Sequence, residues 1–127
     1  MGKILLVGLG GFMGSILRYL MSGYVQQWMK SVDFPYGTLA VNLIGCLVIG
    51  FLSQLAEARG VFMAESRAFV FIGVLGGFTT FSTFSNETMN LLRDGERLLA
   101  VVNIAAHLVP GLIAVWLGRV LAYEIWR

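Results

Sequence analysis

The chain has 127 residues, 57% of them hydrophobic, and carries nine basic and seven acidic side chains, or 13% charge, where a soluble domain carries about 25%. Sixteen glycines approach twice the usual share, and together these figures exclude an ordinary soluble globule. One Cys and one His exclude an internal disulfide framework and a multi-histidine metal site within one chain; a net charge of +2 is too weak and dispersed for a nucleic-acid surface, and the length fits a single domain, 1–127.

The first predicted element runs from Ile4 to about Gly23, with Arg18 near its far end, close enough to snorkel to the membrane interface. Lys3 followed by an apolar run mimics a secretory leader, but no small-residue cleavage site closes it, so the segment is expected to be retained. Gly8, Gly10 and Gly14, with Asp33 beyond them, also mimic a dinucleotide-binding turn, which would imply an enzyme. That reading needs charge-bearing helices between short strands, whereas the rest of the chain offers charge-free blocks too long for strands. Gly10 with Gly14, and Gly11 with Ser15, are instead small residues four apart, a pattern for close helix packing.

A connection over 24–34 leads to Pro35, expected in the first turn of the second helix, and to a charge-free block over 34–56. After a connection over 57–67 comes a second charge-free block, 68–86, and a turn at Asp94-Gly95 precedes a third, 98–118, with Pro110 inside it. Each block is long enough to cross a bilayer. The predicted fold class is an all-α membrane protein of four transmembrane helices, with Pro110 tolerated as a kink.

With four spans, Lys3, Arg59, Arg67, Arg119 and Arg127 face one compartment and Arg18, Lys30, Arg93 and Arg97 the other. Basic residues near span ends set orientation, so this near balance allows insertion both ways and an antiparallel homodimer with inverted-repeat symmetry. A single weakly biased orientation is the alternative.

The third span carries the strongest signal. Gly76-Gly77 is followed, after Phe78, by Thr79-Thr80-Phe81-Ser82-Thr83-Phe84-Ser85-Asn86, a polar run that hydrocarbon does not reward. Paired glycines permit non-helical dihedrals and hydroxyls bond to backbone, so the helix is expected to break near mid-bilayer. A break leaves peptide groups tolerable only at an ion site or a wet cavity. Under antiparallel symmetry four carbonyls, two from each chain, could enclose a hard cation such as sodium. The competing reading is that the glycines serve only close helix crossing.

Phe81 and Phe84 share a helical face, and their positive ring edges, with Ser82 and Thr83 hydroxyls nearby, suit a partly dehydrated anion, although packing explains such a pair equally well. Thr38 and Asn42 form one polar stripe; Asn103, His107 and Gly111 form another of polar and small residues. Placing a small ion in a low dielectric costs on the order of 20 kcal/mol, and each hydrogen bond to it recovers roughly 1.5–3 kcal/mol, so several donors are required. His107 reads as a packed neutral donor or acceptor, or as a proton relay. Glu87 closes the polar run, either paired with Arg18 or standing at the mouth of the path.

The motif Gly76-Gly77-x-Thr79-Thr80-Phe81-Ser82-Thr83-Phe84-Ser85-x-Glu87, with Gly37-Thr38-Leu39-x-Val41-Asn42 and the glycine-rich first helix ending in Arg18, resembles the Fluc (CrcB-type) fluoride channels. The resemblance covers essentially the whole chain. It implies a dual-topology antiparallel homodimer in a prokaryotic inner membrane, with two pores through which fluoride leaves the cytoplasm passively. It further implies that Phe81 and Phe84 line each pore with Asn42, that Thr38, Ser82 and Thr83 match pore-side polar positions, and that the Gly76 and Thr79 carbonyls of both subunits hold a central structural sodium. Asn103, His107 and Gly111 stand where family members vary, often carrying Tyr and Ser.

The expected function is therefore a fluoride-selective channel rather than an enzyme. A small dual-topology proton-coupled cation or drug exporter is the alternative, but it calls for a carboxylate in the first helix, which has none. A structural subunit would leave the buried polar residues without a purpose.

Overall fold

The computed structural model describes residues 1–126, all helix and short connections. The elements are α1 (Gly2–Met29), α2 (Tyr36–Arg59), α3 (Ala64–Arg67), a π-helical segment (Ala68–Leu75), α4 (Gly76–Phe78), α5 (Phe81–Arg93) and α6 (Arg97–Trp126). From α3 through α5 they form one span, Ala64–Arg93, so four helical spans of 28, 24, 30 and 30 residues are long and apolar enough to cross a membrane, each exceeding the roughly 20 residues required. No more than 22% of any span's most apolar window is buried within the chain. The remainder is apolar surface suited to lipid or to a partner.

The spans reach further than the charge pattern suggested. α1 continues to Met29 rather than ending near Gly23, so Arg18 lies eleven residues short of its end. Pro35 is the residue before α2, not a member of its first turn. Its preceding loop is held by Gln26: Nε2 donates to the Ser31 and Phe34 carbonyls at 2.7 and 3.0 Å, and Oε1 accepts from the Gly37 amide at 3.0 Å. Gly60, at φ 59°, ends α2 in the left-handed conformation that glycine adopts without strain. Pro110 sits within α6, which continues through it. Arg127, counted among the charges on the terminal side, lies outside the described residues.

Close approach explains the glycine content. α1 packs along the π-helical segment and α4, and a Cβ at Gly10 or Gly14 would overlap the Phe69 or Val74 carbonyl oxygen. From the opposite side, a Cβ at Gly77 would fall 2.7 Å from the Gly11 carbonyl and 3.2 Å from the Ser15 amide. The two small-residue pairs therefore do form the helix crossing. α2 packs along α6 in the same manner, with Gly50 against the Val115 carbonyl and Gly118 against that of Leu47. Arg119 closes this pair with a two-pronged ion pair to Glu57 at 2.9 and 3.1 Å.

Between the two helix pairs the third span changes partner. Its first half lies on α1 and its second half, α5, on α6. That exchange happens where the helix stops.

Candidate functional site

The interruption falls at Thr79 and Thr80, whose backbones are extended at φ −91°, ψ 158° and φ −153°, ψ 115°. The break therefore lies in the expected stretch, at the first two residues of the polar run. Gly76 and Gly77 remain helical, and it is the β-branched threonines, at home in extended backbone, that leave the helix. Gly77 serves the crossing with α1 and Gly76 opens onto the cavity described below, while the threonines make the break.

Side chains satisfy most of the peptide groups set free. Asn42, on α2, grips Thr80 at both ends: its Oδ1 accepts from the Thr80 amide at 3.0 Å and its Nδ2 donates to the Thr80 carbonyl at 3.2 Å. Thr80 in turn caps α5, its Oγ1 accepting from the Thr83 amide at 3.2 Å and donating to the Thr83 hydroxyl at 2.9 Å. Arg18 Nε donates to the Gly77 carbonyl at 3.1 Å, and Thr79 Oγ1 to the Leu75 carbonyl at 3.0 Å. Arg18 thus pairs with a carbonyl beside the break and not with Glu87.

Two carbonyls are released from the helical pattern by this exchange. The amide that would close the helical bond to Gly76 is that of Thr80, which Asn42 has taken; the amide that would serve Thr79 is that of Thr83, which Thr80 Oγ1 has taken. Both Gly76 and Thr79 line a cavity of about 440 Å³, together with Asn42, Phe81, Phe84 and His107.

One wall of this cavity is aromatic. The Phe81 and Phe84 rings lie 5.6 Å apart at 55°, and Phe84 rests against the His107 ring at 4.2 Å. Phe81 is 78% exposed, turned outward from the chain's own core. His107 Nε2 meets Asn42 Nδ2 at 3.1 Å and its Nδ1 meets the Asn103 carbonyl at 2.9 Å. Because Asn42 Nδ2 can only donate and a carbonyl can only accept, Nε2 is bare and Nδ1 carries the proton.

The remaining expected residues divide between two places. Thr38 donates to Glu87 Oε1 at 2.8 Å, and the pair borders a second cavity of about 710 Å³ with Asn90 and Arg93. Glu87 Oε2 is buried without a partner. Asn103 is fully buried, and its Nδ2 donates to Thr88 Oγ1 at 3.0 Å, while Thr88 donates to the Phe84 carbonyl at 2.8 Å. Ser82 and Thr83 border neither cavity; they belong to the first turn of α5 beside its cap. Gly111 faces Cys46, whose sulfur would lie 3.8 Å from a Cβ there.

Sequence reading missed Thr80 as the cap and Thr88 as the support of Asn103. A signal existed for the first, since a threonine three residues before another at a helix start is a capping pattern. Thr88 gave none beyond its position one turn after Phe84.

Comparison with known proteins agrees with this architecture. A sequence model for CrcB-like protein, Camphor Resistance (CrcB), matches residues 5–119. The chain is 43% identical over 125 residues to a Methanosarcina acetivorans protein named fluoride-specific ion channel FluC 1, covering 98% of this chain and 94% of the relative. It is 48% identical over 124 residues to the fluoride-specific ion channel FluC of Opitutus terrae, covering 96% and 93%. The FluC of Chlorobaculum tepidum is 44% identical over 127 residues, covering 100% and 98%. Four apolar spans with a mid-span break, and full-length similarity at these levels, place the chain in the CrcB-like family of membrane proteins.

Proposed function

We propose that this protein is a fluoride-selective channel of the prokaryotic inner membrane, through which fluoride leaves the cytoplasm passively and its toxicity is relieved. One observation carries the reading: the membrane-crossing chain is interrupted at Thr79-Thr80 beside the paired rings of Phe81 and Phe84, in a chain whose full-length relatives are named fluoride-specific ion channels.

The route uses Phe81 and Phe84 as ring edges that take up part of the ion's lost hydration. Asn42 and His107 border the same cavity as these rings, Asn103, Ser82 and Thr83 support the route from behind its wall and from the first turn of α5, and Glu87 with Thr38 stands at the polar cavity that forms its mouth. Two chains in opposite orientation complete the channel. The near balance of basic residues between the two faces and the outward-turned Phe81 support that pairing, because a ring exposed on one chain is usefully placed where a second chain covers it.

The Gly76 and Thr79 carbonyls, released from helical bonding and lining one cavity, fit a hard, oxygen-seeking cation. In the dimer they would hold a structural sodium ion, whose positive charge would fix the two breaks against each other. Arg18 fills a neighbouring role with its own charge, satisfying the Gly77 carbonyl.

The test is fluoride efflux from vesicles containing purified protein, read with a fluoride electrode, without ATP or a pH gradient and with chloride as competitor. Rapid fluoride loss that chloride neither matches nor blocks is expected. Proton-coupled cation uptake in place of fluoride efflux would contradict the reading in favour of an exporter, and silence would favour a subunit without transport.

A further inference from the structure

We infer that His107 is a positioning residue whose unprotonated Nε2 holds the Asn42 amide on the Thr80 peptide, so that protonating this one imidazole loosens the break and slows conduction. The inference rests on the channel reading above and assigns His107 a role through Asn42 rather than on the ion.

Asn42 spends both of its amide hydrogens, one on the Thr80 carbonyl and one on His107 Nε2, while its oxygen accepts from the Thr80 amide. Its orientation is therefore overdetermined. Turning the amide over would set oxygen against the Thr80 carbonyl and NH₂ against the Thr80 amide, losing both bonds. His107 is locked from behind by the Asn103 carbonyl on Nδ1, with Phe84 against its ring, and Asn103 is itself held by Thr88. Two successive contacts, the Asn103 carbonyl to His107 and His107 to Asn42, thus run from α6 through α2 to the peptide that breaks the third span.

A proton on Nε2 would place a donor against a donor. The imidazolium keeps its bond to Asn103 but can no longer accept from Asn42, and no rearrangement of Asn42 preserves both of its bonds to Thr80. Either the ring moves off and leaves Asn42 without the contact that holds it from behind, or the amide turns and loses both of its bonds to Thr80; in each case the extended backbone is held less firmly. The titratable side chains that the packed elements carry toward this region are Cys46 on α2, lining the same cavity, and Glu87 on α5, bonded to Thr38; Arg18 on α1 is committed to Gly77. An alternative physical outcome has the opposite sign: a positive charge beside the path that merely attracted fluoride would raise the flux.

The experiment is fluoride efflux from vesicles with equal pH on both sides, measured from pH 8 to pH 4.5, after subtraction of leak through protein-free vesicles. Wild-type flux is expected to fall about tenfold across this range as the clamp is lost. His107→Gln retains an acceptor at the reach of Nε2 but cannot titrate; whatever its absolute flux, its profile is expected to be flat. Glu87→Gln is expected to keep the wild-type fall. A flat or rising wild-type profile would overturn the inference, as would a His107→Gln profile that falls like wild type. If the variant folds poorly, the wild-type profile with the Glu87→Gln control still decides, since loss of the fall in that control assigns it to the carboxylate. Absence of efflux at pH 8 overturns the channel reading and this inference with it, whereas efflux with a flat profile overturns this inference alone.

Discussion

Asn42 shows how one side chain makes a membrane helix break affordable. A peptide group left unpaired away from water costs roughly 1–3 kcal/mol in protein interiors, and Asn42 meets both such groups of Thr80. Asn42→Ala is expected to lower the stability of the protein by about 2 kcal/mol or more, seen as a lower thermal unfolding midpoint in detergent, and to lower fluoride flux with it. Phe81 and Phe84 call for a different readout, since Phe81 is exposed on its own chain. Phe81→Ile or Phe84→Ile is expected to reduce flux by about tenfold or more, equivalent to ~1.4 kcal/mol of barrier, while gel filtration gives the same elution as the unaltered protein. Unchanged flux in both variants would assign the rings to packing. The residues themselves were legible from spacing: Thr38 with Asn42, and Asn103 with His107, lie on stripes that turn inward as a four-residue repeat requires. Their partners were not. Whether Arg18 meets Glu87 or the Gly77 carbonyl depends on how deep α1 carries it, and no local pattern fixes that depth.

At the scale of the element, the third span separates two jobs that its sequence places side by side. Gly77 permits the crossing with α1 and stays helical, whereas Thr79 and Thr80 break. The break was readable from the polar run, but which of its residues leave the helix was not, because that depends on partners such as Asn42 that another helix supplies. The π-helical winding of Ala68–Leu75 had no counterpart in the residue pattern; AFVFIGVL suits an α-helix equally, and only its packing on Gly10 and Gly14 marks it out. These crossings leave no room for a methyl group. Gly14→Ala, driving a Cβ onto the Val74 carbonyl, is expected to destabilise the protein by about 1–3 kcal/mol, and Gly118→Ala, against the Leu47 carbonyl, by a similar amount. Thermal unfolding of the two variants checks this, and an unchanged midpoint for Gly14→Ala would mean that α1 can slide away from the third span.

The whole molecule is a bundle whose charges scarcely choose a direction. Nine basic residues divide almost evenly between the two faces, so small additions decide orientation. Inserting two lysines into the connection between α1 and α2 is expected to fix one orientation and abolish fluoride flux, and co-expression with a copy biased the other way is expected to restore it. Full flux from the biased copy alone would refute the antiparallel pair. The four-span architecture was legible because three charge-free blocks and one nearly charge-free block have no soluble explanation. Helix ends were less so: α1 and α6 run past their apolar cores, since a helix continues into the interface until capping or a turn stops it. The antiparallel pairing proposed above rests on charge balance, a property of the molecule's total and not of any one segment.

The central physical claim is that the third span stops and restarts inside the bilayer. Solid-state NMR of the protein in lipid, with threonine carbons labelled, reads this directly through backbone chemical shifts. Extended-backbone shifts at Thr79 and Thr80, with helical shifts at Thr83 and Thr88 on the far side of the break, are predicted. Helical shifts at all four threonines would contradict the account, because an unbroken helix has no freed carbonyls at Gly76 and Thr79 and no peptide for Asn42 to hold.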